Sequence, residues 1–292
     1  MTLIYQNAND WQSAPEKHVL FFGMSGLGKT HLASLLRAKG DWFHYSIDYR
    51  IGTAYMGEHI ADNLKLQAMQ VPFLRELLRS DSIYIGSNIT FDNLAPLSSF
   101  LGKPGDPAKG GLPFEEYTRR QGLHRRAEMN ALLDTPSFIG RARDLYGYPN
   151  FVCDTGGSIC EMVEPENSED EVLKILSANT LMIWIEGSED HTEELIRRFD
   201  KAPKPMYYRP DFLLTQWQAY LAETGAAPDS VDPDAFVRYT YAAALKARTP
   251  LYAAMAKHWG ITVSADDVAR VGDAKDVIAL IGHALEAAPH QP

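Results

Sequence analysis

The residues from Gly23 to Thr30, GMSGLGKT, match the spacing GxxxxGK followed by Ser or Thr in full. Glycines at these positions let backbone N–H groups turn inward around phosphate oxygens, and the N-terminus of a following helix adds a partial positive charge. A lysine at this place reaches the β- and γ-phosphates of a nucleotide, and the hydroxyl after it binds Mg²⁺. We therefore expect ATP and Mg²⁺ as ligands, with nucleotide contacts from Gly23, Ser25, Gly26, Gly28, Lys29, Thr30 and His31.

The segments on either side of this loop have the composition of a strand and a helix, which would hold the loop in place. His18–Phe22 is a short apolar run that stops at the first glycine, and it predicts a buried strand. Lys29–Lys39 has leucines at helical spacing and ends at Gly40, which predicts a helix. Trp42–Ile47 is rich in aromatic residues and predicts a second strand. Strand, loop, helix and strand in this order open an α/β fold.

A second candidate for phosphate chemistry is Asp154, at the end of a third predicted strand, Phe151–Asp154. An aspartate that ends an apolar strand beside a phosphate loop can orient a Mg²⁺-bound water. A strand-end aspartate can equally cap a turn through its own backbone. Both interpretations stay open, and we include Asp154 with Thr30 in the predicted metal site.

Arginines are concentrated between residues 119 and 143, where six of them occur without a lysine. Arginine is suited to bidentate recognition of carboxylate or phosphate. For most of the six we expect a solvated helix surface with salt bridges to Glu115, Glu116 and Glu128.

The remaining pattern predicts alternating helices and strands with no internal repeat. Residues 1–17 are predicted to be mostly irregular, and 102–113 to form a Gly/Pro-rich loop. Further strands are predicted at Ser82–Ile85, Thr180–Glu186 and Ile261–Val263, and helices at about 64–79, 114–134, 136–146, 172–178, 190–199, 211–223, 234–247, 250–258 and 273–287. This pattern indicates an α/β fold, the three-layer α/β/α P-loop NTPase type with about five parallel strands.

Composition excludes several classes of protein. The 292 residues are 45% hydrophobic and 23% charged, which is typical of a globular domain. The net charge is −10, all of it from residues 151–200 with 13 acidic and three basic side chains, and this argues against a binder of nucleic acid or membrane surfaces. Within that segment the acidic run Glu161 to Glu171 is expected to be a solvated loop and helix start.

Other signals are weak or missing. Two cysteines, Cys153 and Cys160, do not make a disulfide framework, and the nine histidines show no zinc-ligand spacing. The N-terminal residues resemble no signal peptide, and no apolar run approaches the roughly 20 residues of a membrane span. A cytoplasmic enzyme or binding protein is therefore expected.

Three further segments, in chain order, resemble the shikimate kinase family of small-molecule kinases. Phe151–Ser158 ends in a Gly-Gly pair, Arg197-Arg198 precedes a loop with Arg209-Pro210, and Lys246–Ala256 contains Arg-x-Pro-Leu-Tyr. With the phosphate loop, the resemblance covers about residues 18–50 and 113–287. It implies a kinase that moves the γ-phosphate of ATP to a hydroxyl of a small, anionic metabolite, with a lid at about residues 200–212.

The resemblance also implies a role for individual residues. Asp48 would bind the acceptor and act as base, Arg125 would grip its carboxylate, and Gly156 and Gly157 would allow it a close approach to the backbone. Arg198 would lie against adenine, Arg209 would reach the transferred phosphate from the lid, and Arg248 would hold the acceptor from the opposite side.

The sequence departs from the family on the acceptor side. The first of the two acids expected after the second strand is Ser46, the next acidic position is Gly52, and the third glycine after the third strand is Ser158. Residues 51–112 have no counterpart of that size, so we expect a core of 1–50 and 113–292 with an acceptor-side insertion. The alternative is a nucleotide-binding regulatory ATPase whose insertion, 51–112, binds a partner protein.

Overall fold

The structure is a computed structural model, and it describes residues 3–287. The chain divides into two compact units. Within residues 3–287, the first consists of 3–47, 129–202 and 238–287, and the second of 48–128 and 203–237. The predicted insertion, 51–112, lies in the second unit, together with residues 113–128 and 203–237.

The first unit is built on a sheet of five parallel strands in the order β2-β3-β1-β4-β5. Because both faces of such a sheet are covered, its strands read as apolar runs rather than alternating ones, as the sequence predicts. β1 has neighbours on both sides, and residues 19–22 are fully buried. The strands are β1 His18–Phe22, β2 Trp42–Ser46, β3 Asn150–Asp154, β4 Leu181–Glu186 and β5 Gly260–Ser264.

Fifteen α-helices lie within residues 3–287, and none of them has both the length and the apolar character that crossing a membrane requires. A π-helical turn, Ile51–Tyr55, follows α3, and short 3₁₀ turns occupy Pro107–Lys109 and Pro228–Ser230. The α-helices are α1 Ala8–Ser13, α2 Lys29–Ala38, α3 Ile47–Arg50, α4 Gly57–Ala68, α5 Pro72–Arg79, α6 Ala95–Leu101, α7 Phe114–Leu133, α8 Thr135–Asp144, α9 Ile159–Met162, α10 Glu171–Asn179, α11 Glu189–Lys201, α12 Pro210–Thr224, α13 Pro233–Trp259, α14 Ala265–Arg270 and α15 Ala274–Ala287.

Helices cover the sheet in two layers. α15 contacts α1, α2 and β5, and α2 also contacts β1, β2 and β3. α8 and α10 contact each other and the strands β2, β3 and β4. The predicted three-layer α/β/α architecture is confirmed. From β1 the chain passes through α2 to β2 at one edge, and from β3 it returns across β1 to β4. The carboxyl end of β1 is therefore at the point where the strand order reverses, which is where open α/β sheets bind ligands.

The N-terminal segment, predicted to be mostly irregular, contains a short helix that the sequence did not predict. Residues 8–13 form α1, capped by the Asn7 side chain, which accepts a hydrogen bond from Asp10 N–H. Trp11 is fully buried, and its indole N–H donates to the Ile278 carbonyl oxygen at 2.9 Å. A helix of six residues is too short for a clear periodic signal, and its partner α15 is more than 260 residues away.

Three other predictions were wrong in detail. The helix predicted at 64–79 is two helices, because Pro72 is placed at the first turn of α5, where its missing N–H is tolerated. Ser82–Ile85 forms no strand. The helices predicted at 234–247 and 250–258 are one, α13, which continues through Pro250. Leu245 and Tyr252 are buried on either side of that proline, so tertiary packing outweighs the local cost of a proline within a helix.

Replacing Trp11 with Ala should destabilise the first unit by about 3–5 kcal/mol, because it empties a fully buried indole site and removes the bond to Ile278. The measurement is the free energy of unfolding in urea. Gln12→Ala, an exposed change in the same helix, should stay within about 0.5 kcal/mol of the parent protein. Equal stability of the two variants would mean that α1 is not part of the folded core.

Candidate functional site

The loop between β1 and α2 has a backbone that needs glycine. Gly23 has φ +134°, and a Cβ there would lie 2.8 Å from the Ile185 carbonyl oxygen. Gly28, the N-cap of α2, has φ +100°, and a Cβ there would lie 2.7 Å from Val268 Cγ1. Residues with a side chain rarely adopt these angles, so the motif glycines are required by the loop itself.

Lys29 opens α2 and is buried, with 7% of its surface exposed. Its ammonium donates hydrogen bonds to the carbonyl oxygens of Gly23 and Met24, each at 2.8 Å. Those contacts hold a positive charge against the backbone of the loop. Ser25, Gly26, Thr30 and His31 are exposed, so the predicted nucleotide contacts on this loop are accessible from solvent.

Thr30, in the first turn of α2, is hydrogen-bonded to the end of β3. Its hydroxyl donates to Asp154 Oδ2 at 2.9 Å. Asp154 is buried, and its other carboxylate oxygen, Oδ1, lies 3.2 Å from Nε2 of the buried His44 on β2. Ser46, which ends β2, is directly opposite Asp154 in the register of the two strands. The structure therefore brings together the two residues predicted to bind metal and adds His44 and Ser46 to them.

The ionisation of Asp154 suits a cation site. Burial by itself would raise the pKa of this carboxyl, but hydrogen bonding and charge from His44, with hydrogen bonds from Thr30 and Ser46, outweigh it and hold the pKa below its usual value. Asp154 is therefore a carboxylate at neutral pH. A carboxylate and a hydroxyl are oxygen ligands of the kind that Mg²⁺ prefers, so these residues fit that ion.

A dedicated metal cage is absent from the described part of the chain. Within residues 3–287, no group of three or more His, Cys, Asp or Glu side chains is arranged to hold an ion. Mg²⁺ commonly binds through one or two protein ligands together with waters and substrate phosphates. Thr30 and Asp154 could therefore hold the ion together with a phosphate-bearing ligand.

The loop after β3 packs directly on the phosphate loop. Gly156 is buried, and a Cβ on Gly157 would lie 3.3 Å from the Ser25 backbone nitrogen. The hydroxyl of the fully buried Tyr252 donates to the Gly157 carbonyl oxygen. Gly157 therefore lies close to the phosphate loop, and the approach of an acceptor to Gly156 and Gly157 stays a prediction.

Arg248, which the family resemblance assigned to the acceptor, forms a buried ion pair. Its Nη2 donates to Glu161 Oε2 at 3.0 Å, and the two side chains are 6% and 4% exposed. Burial would lower the pKa of Arg248, but the Glu161 carboxylate more than offsets this and raises it. The prediction that the acidic run is solvated is therefore wrong for Glu161, although Glu164, Glu166, Glu169 and Glu171 are exposed.

Arg198, the predicted adenine contact, is at the surface. Its side chain on α11 is 65% exposed, and its Nε donates to Glu194 Oε1 at 2.6 Å. In the structure it is one of two arginines that pair with Glu194, the other being Arg197. Its role towards adenine stays a prediction.

Three residues predicted for catalysis or acceptor binding belong to the second unit. Asp48 is half-buried in α3, Arg209 is the half-buried residue before α12, and Arg125 is exposed on α7. Glu128 is fully buried, and Nδ1 of the buried His124 lies 3.6 Å from its Oε2. The position of these residues in the second unit does not test the roles that the resemblance implies for them.

The residues before α12, within the predicted lid, are held to α7. Tyr117 Oη and Gln121 Nε2 both donate to the Met206 carbonyl oxygen, at 2.9 and 3.0 Å, and Tyr208 N–H donates to Gln121 Oε1 at 2.9 Å. Tyr208 is fully buried. A lid movement of this segment would therefore have to break these bonds or carry α7 with it.

The expected salt bridges of the arginine-rich helix are present at Glu116. Arg119 and Arg120 both donate to its carboxylate, at 2.7 Å from each Nε. Arg120 differs from the expectation because it is buried, with Phe100 and Asn63 as further partners. It joins α4, α6 and α7 within the second unit.

No family model matches the sequence, and no curated protein matches it. Among solved structures, the chain is similar to a crystal structure of shikimate kinase from Bacteroides thetaiotaomicron. The two sequences are 14% identical, the match covers 92% of this chain and 98% of that chain, and the TM-score is 0.41. The similarity is a distant one and concerns the fold.

The ion pair of Arg248 gives a prediction for stability. Glu161→Gln leaves the buried Arg248 without its counter-ion and should destabilise the protein by about 3–5 kcal/mol in urea unfolding. A double variant, Glu161→Leu with Arg248→Met, removes both charges and should recover most of the loss. A single variant as stable as the parent protein would contradict the buried pair.

The second unit gives a prediction for pH dependence. Burial lowers the pKa of His124 to about 4, against 6.5 for an exposed histidine. Between these values the unfolded chain binds the proton and the folded chain does not, so falling pH should cost about 1.4 kcal/mol of stability per unit.

The test compares the parent protein with His124→Gln from pH 7 to pH 4 by urea unfolding. The parent should lose more stability than the variant as the pH falls from 6.5 towards 4. Parallel stability curves would show that His124 takes up its proton at a similar pH in the folded and unfolded states.

Proposed function

We propose that the protein is an ATP-dependent phosphotransferase that moves the γ-phosphate to a hydroxyl of a small metabolite. The observation that carries this proposal is the glycine-dependent loop at the carboxyl end of β1, whose Thr30 is hydrogen-bonded to the ionised Asp154. The loop supplies N–H groups and an ammonium to phosphates, and the pair beside it supplies oxygen ligands for a cation.

The proposed chemistry assigns separate tasks to separate groups. Mg²⁺ held by Thr30 and Asp154 would neutralise phosphate charge when it is bound with the nucleotide. Lys29 would stabilise charge on the transferred phosphoryl. The acceptor oxygen would bond to the γ-phosphorus as the bond from that phosphorus to the bridging oxygen breaks, and ADP would leave. Asp48 is the proposed base for the hydroxyl proton, and Arg209 the proposed second cation at the phosphoryl group.

The charge of the acceptor depends on the arginines. Arg248 is already compensated by Glu161, so a second carboxylate next to it would add a negative charge to a neutral pair. Arg125 is exposed, and in this proposal it is the arginine that binds a carboxylate of the acceptor. An acceptor panel should therefore contain shikimate, other hydroxylated acids, and uncharged hydroxylated compounds of similar size.

A second candidate function is a nucleotide-binding regulator that docks a partner protein through 51–112. It is favoured by the exposure of apolar side chains on α4, on α5 and in the link between them, and none of the eight residues of α5 is buried. Leu66, Val71 and Phe73 are 59%, 46% and 71% exposed. ADP release that stays the same whether or not acceptors are added would favour this candidate.

The proposed function predicts that Lys29→Ala abolishes acceptor-dependent ADP release and leaves the fold intact. Lys39→Ala is the matched control, because Lys39 lies at the other end of α2 and pairs with Asp41 at the surface. The measurement is ADP release with Mg·ATP across the acceptor panel, with circular dichroism as the check on folding. Unchanged turnover in a folded Lys29→Ala protein would contradict the proposal.

A further inference from the structure

We propose that His44 is a positioning residue, which holds the Asp154 carboxylate in the orientation that binding of a divalent cation with ATP requires. The inference rests on the nucleotide binding in the proposed function and adds a residue that the phosphate-loop motif does not include. His44 lies in the middle of β2 and belongs to the same compact unit as the phosphate loop.

The strand register places the three polar groups on one face of the sheet. Ser46 and Asp154 are directly opposite on neighbouring strands, so their side chains point to the same side. His44 is two residues before Ser46, and side chains two apart on a strand share a face. The imidazole is thereby directed to the same face as the carboxylate.

The two oxygens of the carboxylate have different partners. Oδ2 accepts from the Thr30 hydroxyl at 2.9 Å, and Oδ1 lies 3.2 Å from His44 Nε2. Contacts at both oxygens restrict rotation of the carboxylate about its bond to Cβ. Without His44, the hydroxyls of Thr30 and Ser46 would remain as partners, and the carboxylate would lose its contact with the imidazole.

Burial makes the His44 contact effective. The side chains of His44 and Asp154 are 2% and 7% exposed, so water competes little for the carboxylate. A polar contact at low local dielectric is stronger than the same contact at the surface. A carboxylate that binds a cation is commonly oriented by a second group in this manner, and loss of that group costs 10–100-fold in metal affinity.

The experiment measures the affinity of the full chain for ATP by calorimetry, once with Mg²⁺ and once with EDTA. His44→Leu removes the polar nitrogen and keeps much of the volume. His44→Gln keeps an N–H donor near the position of Nε2. His258→Leu, at an exposed histidine on α13, is the matched control. Thermal unfolding of each variant checks the fold.

In the parent protein Mg²⁺ should tighten ATP binding. In His44→Leu, the factor by which Mg²⁺ increases the affinity for ATP should fall at least about 10-fold. The affinity of this variant for ATP in EDTA should change by no more than about twofold. His44→Gln should retain most of the gain, and the control should equal the parent. If His44→Leu does not fold, His44→Asn replaces it, because the shorter amide does not reach the carboxylate.

Each other outcome overturns the inference in a distinguishable manner. An unchanged Mg²⁺ effect in His44→Leu overturns the positioning role alone. Equal losses with Mg²⁺ and with EDTA would mean that His44 only supports the phosphate loop. Loss of the Mg²⁺ effect in His44→Gln would mean that the packing of the imidazole ring, rather than an N–H donor near Asp154, determines the Mg²⁺-dependent affinity for ATP. A parent protein that binds no ATP under either condition contradicts the proposed function as well.

Discussion

The hydrogen bond between Thr30 and Asp154 is the contact on which the candidate site depends. It joins the first turn of α2 to the end of β3, two places that are 124 residues apart in the chain. The contact forms because β1 and β3 are adjacent and parallel, so that their carboxyl ends lie at the same edge of the sheet. It brings the Asp154 carboxylate next to the phosphate loop, which otherwise offers a ligand backbone N–H groups and the Lys29 ammonium. Anion-binding and cation-binding groups are thus placed side by side.

A second buried ion pair of the first unit involves α13, the helix that also contacts the loop after β3. Arg248 is neutralised by Glu161, and Tyr252, on the next turn of α13, donates to the backbone of Gly157. Gly157 in turn lies against Ser25 of the phosphate loop. The conformation of that loop is therefore supported by a helix near the C-terminus as well as by the strand before it. This support accounts for the burial of Arg248 and Tyr252, the first and last residues of the Arg-x-Pro-Leu-Tyr element, which the family resemblance assigned to acceptor binding.

Local patterns predicted much of the fold, and long-range contacts account for what they missed. The apolar runs at His18–Phe22 and Leu181–Glu186 predict strands, because a strand that is buried on both faces consists of consecutive apolar residues. Trp11 and Glu161 were misjudged because their burial depends on partners more than 80 residues away. The sequence predicted two helices with a break before Pro250. The structure has a single helix, α13, because buried side chains on both sides of the proline stabilise it. His44 had no signal of its own, since one histidine in an aromatic strand looks the same whether or not a carboxylate lies opposite.

The proposed function requires the site to transfer a phosphoryl group to a hydroxyl rather than to water. The most direct test is the fate of the γ-phosphate of labelled ATP in a mixture of hydroxylated metabolites. We expect one labelled organic phosphate for each ADP formed, in amounts that rise with the acceptor concentration. Label found only as inorganic phosphate, at a rate that does not depend on the mixture, would contradict it and identify an ATPase.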